Sequence, residues 1–500
     1  MDAVLAAFAD ALSWQALFAA IVGSVVGLIF GAIPGMTYTM ALAIVLPMTF
    51  GMGPVPAIAM LLSTFIGGAT GGTVSAILIG VPGTPSAAAT VMDGYALGKQ
   101  GKASLAIGTA TVVSTIGGLI SLFIMLISVE GLARVALAFG PAEITALVIF
   151  GLSTICGLSE RSLLRGLIAG VLGLMIMCIG QDPIDAVQRF TFGSTYMLQG
   201  VELLVAMIGL FAIPQVIEML MLWKKGSHVE IDGSNLKTEL PTIRLLLEHR
   251  WNILRSTIIG TVVGAIPGTN GAIAAFLAYD QEKRFSKHPE RLGKGDIGGV
   301  IAPETANNAL TGGAMIPLLG LGIPADPAVA IILGGLMIQG IAPGPLLLSS
   351  KPEVVFSIYI LFGISYILVT AILLFGLRAF VRALLIPPQI LALCILVMCV
   401  VGSFAIRNTL FDVGVMMIIG LVGYILMKVR IPVTPIVLGL ILGPVLERES
   451  RTAMVMSEDK LSIFYTSVPS VLFLGLAALV IGLHAVSSWR GSYKPASQEA

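Results

Sequence analysis

The sequence predicts an all-α polytopic membrane protein, with roughly 10 to 12 transmembrane helices in two inverted-topology repeats that contain broken or re-entrant hairpins. Three observations predict it. The chain of 500 residues is 57% hydrophobic and 11% charged, whereas soluble domains carry roughly a quarter charged residues. Apolar runs recur along its length, and several are interrupted by glycine and proline. A bilayer tolerates such interruptions only where protein or a water-filled cavity meets the freed backbone groups. The two halves also repeat the same motifs in the same order.

The first residues, MDAVLAAFADALSWQ, carry Asp2 and Asp10 but no Lys or Arg. They lack the basic region of a cleavable signal and read as an amphipathic lead-in to the first membrane segment. Candidate segments follow at Ala16–Ala32, Tyr38–Phe50, Ala57–Ile79, Ala103–Ser128, Ile144–Leu158, Leu163–Ile179 and Val201–Trp223. After a polar stretch come Ile258–Ala278, Ala309–Ile323, Ala325–Ile341, Val354–Phe375, Gln389–Ile406, Val413–Met427, Ile436–Val445 and Val468–Val486. A full span needs about 20 apolar residues, so the shorter or Gly/Pro-cut segments are expected to be half-helices or re-entrant hairpins.

Gly31-Ala32-Ile33-Pro34-Gly35 recurs as Gly264-Ala265-Ile266-Pro267-Gly268, and Thr70-Gly71-Gly72 as Thr311-Gly312-Gly313. Val81-Pro82-Gly83-Thr84-Pro85 recurs as Ile323-Pro324-Ala325-Asp326-Pro327, Glu143-Ile144 aligns with Gln389-Ile390, and Arg161 with Arg407. The expected organisation is a first membrane repeat over 1–223, a cytoplasmic basic linker over 224–255, a second repeat over 256–490 and a polar tail over 491–500. Basic residues stay cytoplasmic. The segment before the first repeat has no Lys or Arg, while the one before the second has Lys224, Lys225, Lys237, Arg244, Arg250 and Arg255. Lys99 and Lys102 follow the first Pro-Gly-Thr-Pro element, and the equivalent loop, Ala342 to Ser350, has no basic residue. Equivalent loops therefore fall on opposite sides, an inversion that places a solute site near the midplane. Arg490 and Lys494 at the C-terminal end run against that sense.

Two stretches are rich in groups that bind solutes, Ser63 to Pro85 and Val300 to Pro327. Half-helix N-termini present backbone N–H groups and a positive dipole end, which suits anions. Such ends are expected at Gly71-Gly72, Gly83-Thr84, Gly268-Thr269-Asn270 and Gly312-Gly313. The substrate-binding candidates are Thr37, Ser75, Gly83, Thr84, Pro85, Ser86, Thr269, Asn270, Asn308, Thr311, Gly312 and Gly313. Close helix packing by small residues is the plain alternative for the glycines. Glu304, Thr305, Asn307 and Asp326 are the candidates for a coupling ion, Na+ or H+, because carboxylates and adjacent amides at depth demand partners. For Glu304 and Asp326 the alternative is a wetted segment boundary where the carboxylate caps a helix, which Asp326 between two prolines fits nearly as well. Asp93 and Asp412 read as helix caps. Arg161 and Arg407 can face a carboxylate bidentately, or snorkel to the interface. Alanine at Asn308 is expected to abolish uptake while leaving the protein in the membrane.

Other functions find little support. No strongly basic face exists for nucleic acid, the four histidines lack metal spacing, and the four cysteines lie in apolar runs. Asp280 and Asp296 sit in sequences like those of intramembrane aspartyl proteases, but both fall in one charged loop. There is no phosphate loop of the G-x-x-x-x-G-K-[ST] type. No enzyme is expected.

The motifs resemble one family over nearly the whole chain: the large membrane subunit of bacterial tripartite tricarboxylate transporters, the TctA-like proteins. The residues that carry the likeness in the first half are Ile33-Pro34-Gly35, Val81-Pro82-Gly83-Thr84-Pro85, Asp93-Gly94-Tyr95 and Gln100-Gly101-Lys102-Ala103. In the second half they are Ile266-Pro267-Gly268, Gly293-Lys294-Gly295, Ala302-Pro303-Glu304, Asn307-Asn308-Ala309 and Gly322-Ile323-Pro324. The chain departs from the family pattern at Gly80, where Asn is frequent, and at Ala325-Asp326, where Gly-Ser is. The resemblance implies a multi-pass transporter of the bacterial inner membrane that imports citrate-like or other carboxylates on a sodium or proton gradient. It also implies a small membrane subunit and a periplasmic substrate-binding protein as partners. A carrier working without a binding protein is the alternative.

Overall fold

A computed structural model describes residues 2–34, 36–157, 163–182, 185–222, 239–383 and 388–491. The first half comprises α1 (Asp2–Ala11), α2 (Trp14–Ala32), α3 (Tyr38–Val45), α4 (Pro54–Ile79), α5 (Ala88–Lys99), α6 (Ala103–Ala136), α7 (Pro141–Gly157) and α8 (Leu163–Met177). A short antiparallel hairpin of β1 (Gly180–Gln181) and β2 (Gln188–Arg189) precedes α9 (Leu203–Leu222). The second half comprises α10 (Ile243–Glu248), α11 (Arg250–Ala265), α12 (Gly271–Phe285), α13 (Gly298–Leu321), α14 (Pro327–Ile338), α15 (Leu347–Ser350) and α16 (Pro352–Ala383). It ends with α17 (Pro388–Arg407), α18 (Leu410–Lys428), α19 (Thr434–Met456), α20 (Ile463–Thr466) and α21 (Val468–Gly491).

The chain is an all-α polytopic membrane protein. Among the described residues, α2, α4, α6, α9, α16 and α18 contain stretches long and apolar enough to cross a membrane, and shorter apolar helices accompany them. Two compact units divide the chain. One is Met1–Arg134 with Phe211–Asn408, and the other is Val135–Leu210 with Thr409–Ala500.

In the first unit the two repeats have matching local conformations. α2 ends at Ile33 in extended backbone (φ −81°, ψ 120°) and α11 ends at Ile266 in the same way (φ −88°, ψ 113°). The next helices restart at side-chain caps: Thr37 accepts from the Met40 N–H at 3.3 Å, and Asn270 from the Ile273 N–H at 3.1 Å. α4 and α13 both stop at a left-handed glycine, Gly80 (φ 70°, ψ 16°) and Gly322 (φ 74°, ψ 19°), a conformation that costs other residues steric strain. Each is followed by a turn and a proline that opens the next helical element, Pro85 or Pro327.

The central helices of the repeats run antiparallel. The Thr70 hydroxyl of α4 donates to Asn308 Oδ1 of α13 at 2.9 Å. One turn further along α4, Thr73 faces Glu304, one turn back along α13. Reciprocal packing completes the relation, with α3 against α14 and α12 against α5 and the Pro85–Ala87 turn. Antiparallel contact between equivalent elements is the local form of an inverted repeat.

Four expectations about segments need correction. Ile258–Ala278 is not one segment, because the chain leaves helix between Ala265 and Gly271. Its first helix already begins at Arg250, within the polar stretch. The run Val300–Leu321 is continuous helix despite Pro303, Gly312, Gly313 and Pro317, and the break comes only after Gly322. α4 likewise passes unbroken through Gly71-Gly72. These glycines admit neighbouring backbone: a Cβ on Gly313 would stand 2.2 Å from the Thr261 carbonyl oxygen, and one on Gly71 2.5 Å from that of Leu28. Close packing by small residues is the reason.

The second unit packs α8 on α19 by the same device, where a Cβ on Gly173 would lie 2.1 Å from the Ile436 carbonyl oxygen. Its β-hairpin is held by α19: Arg189 pairs with Glu447 at 2.8 Å, and Arg451 with Asp182 at 3.0 Å. The bond to Glu447 holds the Arg189 guanidinium above the usual arginine range.

Candidate functional site

The helix breaks of the two repeats bring polar groups together inside the first unit. Thr84 and Ser86, at the restart after Gly80, bond through their hydroxyls at 2.9 Å. α12 begins beside them. A Cβ added to Gly271 would stand 2.6 Å from Asn307 Oδ1 and 2.7 Å from Ser86 Cβ. The start of α12, the Thr84–Ser86 turn and Asn307 of α13 are therefore neighbours. Asn307 is oriented by its amide group, which donates to the Ala69 carbonyl at 2.9 Å. Asn270 is half-buried at the same helix start. Early N–H groups of a helix have no intrahelical acceptor and favour an anion. Ser86 and Asn270–Gly271 bring such an end to hydroxyl and amide groups.

Several predicted residues are used elsewhere. Gly312 and Gly313 lie inside α13, and Gly312 presses against Ser121. Gly83 is closed off, since a Cβ there would meet the Gly31 carbonyl oxygen at 2.0 Å. Ser75 donates to Gly72 O at 3.3 Å, and Thr269 to Val263 O at 2.5 Å. Pro85 is exposed beside the buried Thr84 and Ser86. Thr37 bonds Thr39 at 2.5 Å and caps α3, one of the two pseudo-equivalent restarts.

Asn308 is a strut. Its amide group donates to Ser114 Oγ at 2.7 Å and to Glu304 O at 3.1 Å, while its oxygen accepts from Thr70. Thr311 bonds the Tyr366 hydroxyl at 2.7 Å and donates to Asn308 O at 2.7 Å. Every polar group of Asn308 thus meets protein. The Thr305 hydroxyl donates to the Ile301 carbonyl of its own helix at 2.7 Å.

The two predicted carboxylates differ. Asp326 caps α14, accepting from the Val329 N–H at 2.8 Å, and its other oxygen is buried without a hydrogen-bond partner, near Tyr38. Glu304 is fully buried. Its Oε1 accepts from Thr90 at 2.5 Å, and its Oε2, on a carboxylate that Thr73 faces, has no other partner among the described residues. Thr90 lies one helical turn after Ser86, a spacing that sequence reasoning passed over.

Asp93 is not a cap. It lies within α5 and accepts from the Tyr279 hydroxyl and from the N–H groups of Gly293, Gly295 and Asp296, each at 2.8 Å. Asp412 stands in the first turn of α18, where Thr409 caps the helix and donates to the Asp412 carboxylate at 2.9 Å. Arg407 closes α17, and Arg161 lies outside the described residues. Asp280 is exposed and paired with Arg284 at 2.8 Å, while Asp296 accepts from the Gly298 N–H at 2.8 Å. An exposed, ion-paired Asp280 does not make a dry catalytic dyad with Asp296.

Comparison with known proteins places this arrangement in a family. The chain is similar to a protein of Agrobacterium vitis described as an uncharacterized 52.8 kDa protein in the TAR-I ttuC' 3'region, at 35% identity over 464 residues, 92% of each chain. It is also similar to an uncharacterized protein in the TAR-II ttuC' 3'region of the same organism, at 38% identity over 226 residues, 45% of this chain and 93% of the other. No solved structure matches it. The profile of the tripartite tricarboxylate transporter TctA family matches residues 17–438. The chain belongs to the tripartite tricarboxylate transporter TctA family.

Proposed function

We propose that this chain is the membrane subunit through which citrate-like or other carboxylates are imported across a bacterial inner membrane on a sodium or proton gradient. A periplasmic binding protein delivers the substrate, and a small membrane subunit completes the carrier. Membership of the family supports the tripartite arrangement. One observation supports an anionic substrate: the start of α12 lies against Ser86, whose hydroxyl is bonded to that of Thr84. Substrate carboxylates are held there by backbone N–H groups with Thr84, Ser86 and Asn270. Helix ends supply charge complementarity without burying a compensating cation.

The test is uptake of radiolabelled citrate and other carboxylates into proteoliposomes, with and without the small subunit and binding protein, under imposed sodium or proton gradients. The expected result is uptake only with all three parts, reduced by Ser86→Ala and Thr84→Ala. Gradient-driven uptake by the chain alone would establish a self-sufficient carrier instead. Unimpaired uptake by both variants would sink the site.

A further inference from the structure

We infer that Glu304, enclosed by Thr73 of α4 and Thr90 of α5, is a proton-binding site, and that its Oε2 takes up the coupling ion of this carrier as H+. The inference rests on the transport reading above and deepens it.

The surroundings of Glu304 suit a neutral acid. The side chain is 0% exposed, Oε1 accepts from Thr90, and Oε2 is buried with no partner but the facing Thr73 among the described residues. Thr73 Oγ1, which faces the carboxylate, is also buried and, among the described residues, makes no other hydrogen bond. With a proton on Oε2 the acid O–H donates to Thr73 while Oε1 keeps its bond from Thr90, and no charge is left enclosed. Without it, a full negative charge is enclosed with two hydroxyls and, among the described residues, no cation pairs with it, which is costly at depth.

Other charged and titratable groups on the packed elements are engaged with different partners. Asp93 of α5 bonds Tyr279 of α12, Glu282 of α12 pairs with Arg255 of α11, and Lys99 of α5 lies over the Tyr95 ring. Asp280 pairs with Arg284 on α12, and Glu130 with Arg134 on α6. Tyr366 of α16 bonds Thr311, and Asp326 caps α14 near Tyr38 of α3.

A metal cation fits this place poorly. Hard cations gather about six oxygen ligands. Here the carboxylate and two hydroxyls supply four, and the 2.5 Å contact between Thr90 and Oε1 leaves no gap for an ion between them. The neighbouring carbonyl is committed: Glu304 O accepts from both Asn308 and Ser114. Protonation adds one H+ to Oε2 and removes one buried charge at a contact between the two repeats, the charge change that a coupling step requires.

The test is infrared pH-difference spectroscopy of the purified full chain, wild type against Glu304→Gln, followed by citrate uptake in the three-part system. The expected result is a carboxylic-acid C=O band that titrates in the wild type, is absent from the variant and does not respond to added sodium at fixed pH. Thr90→Val, which keeps the acid, should retain the band at higher frequency because its hydrogen bond is gone. Identical difference spectra for wild type and Glu304→Gln would overturn the proposal, as would a band removed by sodium. Uptake driven by a proton gradient in the wild type and equally in Glu304→Gln would overturn the coupling role while leaving the transport reading intact. The expected band without carboxylate uptake would instead overturn that reading and, with it, the coupling role.

Discussion

The carboxylate of Asp93 accepts a hydrogen bond from the Tyr279 hydroxyl at 2.8 Å across 186 residues of chain. The same carboxylate collects the N–H groups of Gly293, Gly295 and Asp296, tying the loop before α13 to α5 of the other repeat. Hydrogen bonds to a charged group are worth about 1.5–3 kcal/mol each. Asp93→Asn should turn an NH2 group toward these donors and destabilise the fold by about 3 kcal/mol. Tyr279→Phe should cost about 1.5 kcal/mol. Thermal unfolding in detergent checks both, and an Asp93→Asn midpoint equal to wild type would refute the role.

Asn308→Ala should act on stability before it acts on transport. It removes bonds to Ser114, Glu304 O and Thr70 from a sealed helix contact, at a cost of about 2 kcal/mol. The expected outcome is a lowered unfolding midpoint and reduced yield from the membrane. Full stability with no uptake would restore a solute-facing role to this amide.

Gly313→Ala places a methyl 2.2 Å from Thr261 O and 2.9 Å from Thr261 Cα, so two helices must separate. Overpacking of this kind costs about 1–3 kcal/mol. Gly414→Ala, in α18, meets nothing within 4 Å and should be neutral or stabilising by up to about 1 kcal/mol. Comparison of the two unfolding midpoints checks the packing argument directly.

His249 joins α10 to α11, and burial holds its imidazole below the usual range, with Asp296 and Glu248 opposing. The unfolded chain therefore binds a proton more readily than the folded one. Stability should fall as pH drops below the ordinary imidazole value of about 6.5 toward the lower folded value. Unfolding midpoints measured from about pH 8 to about pH 5 should show this loss. His249→Gln should flatten it, and an unchanged slope in the variant would exclude this group.

The sequence by itself determined the class of the protein, its two repeats and the places where equivalent helices restart. Composition demands a bilayer, and the Ile-Pro-Gly and Gly-Pro motifs encode local backbone conformations: extended exits at Ile33 and Ile266, left-handed stops at Gly80 and Gly322. Such features need no distant partner. Only the tertiary structure decided what each polar side chain does. Gly-Gly pairs looked like helix ends, but neighbouring helices press against them, so continuous helix wins. Adjacent amides at Asn307 and Asn308 both meet α4, at Ala69 and Thr70, but diverge beyond it, one toward Gly271 of α12, the other toward Ser114 of α6. Glu304 and Asp93 are both buried acids, yet Asp93 is satisfied by a loop about 200 residues away in sequence while one oxygen of Glu304 meets only Thr73 among the described residues. Whether a buried group is satisfied depends on long-range packing, and that is set in three dimensions.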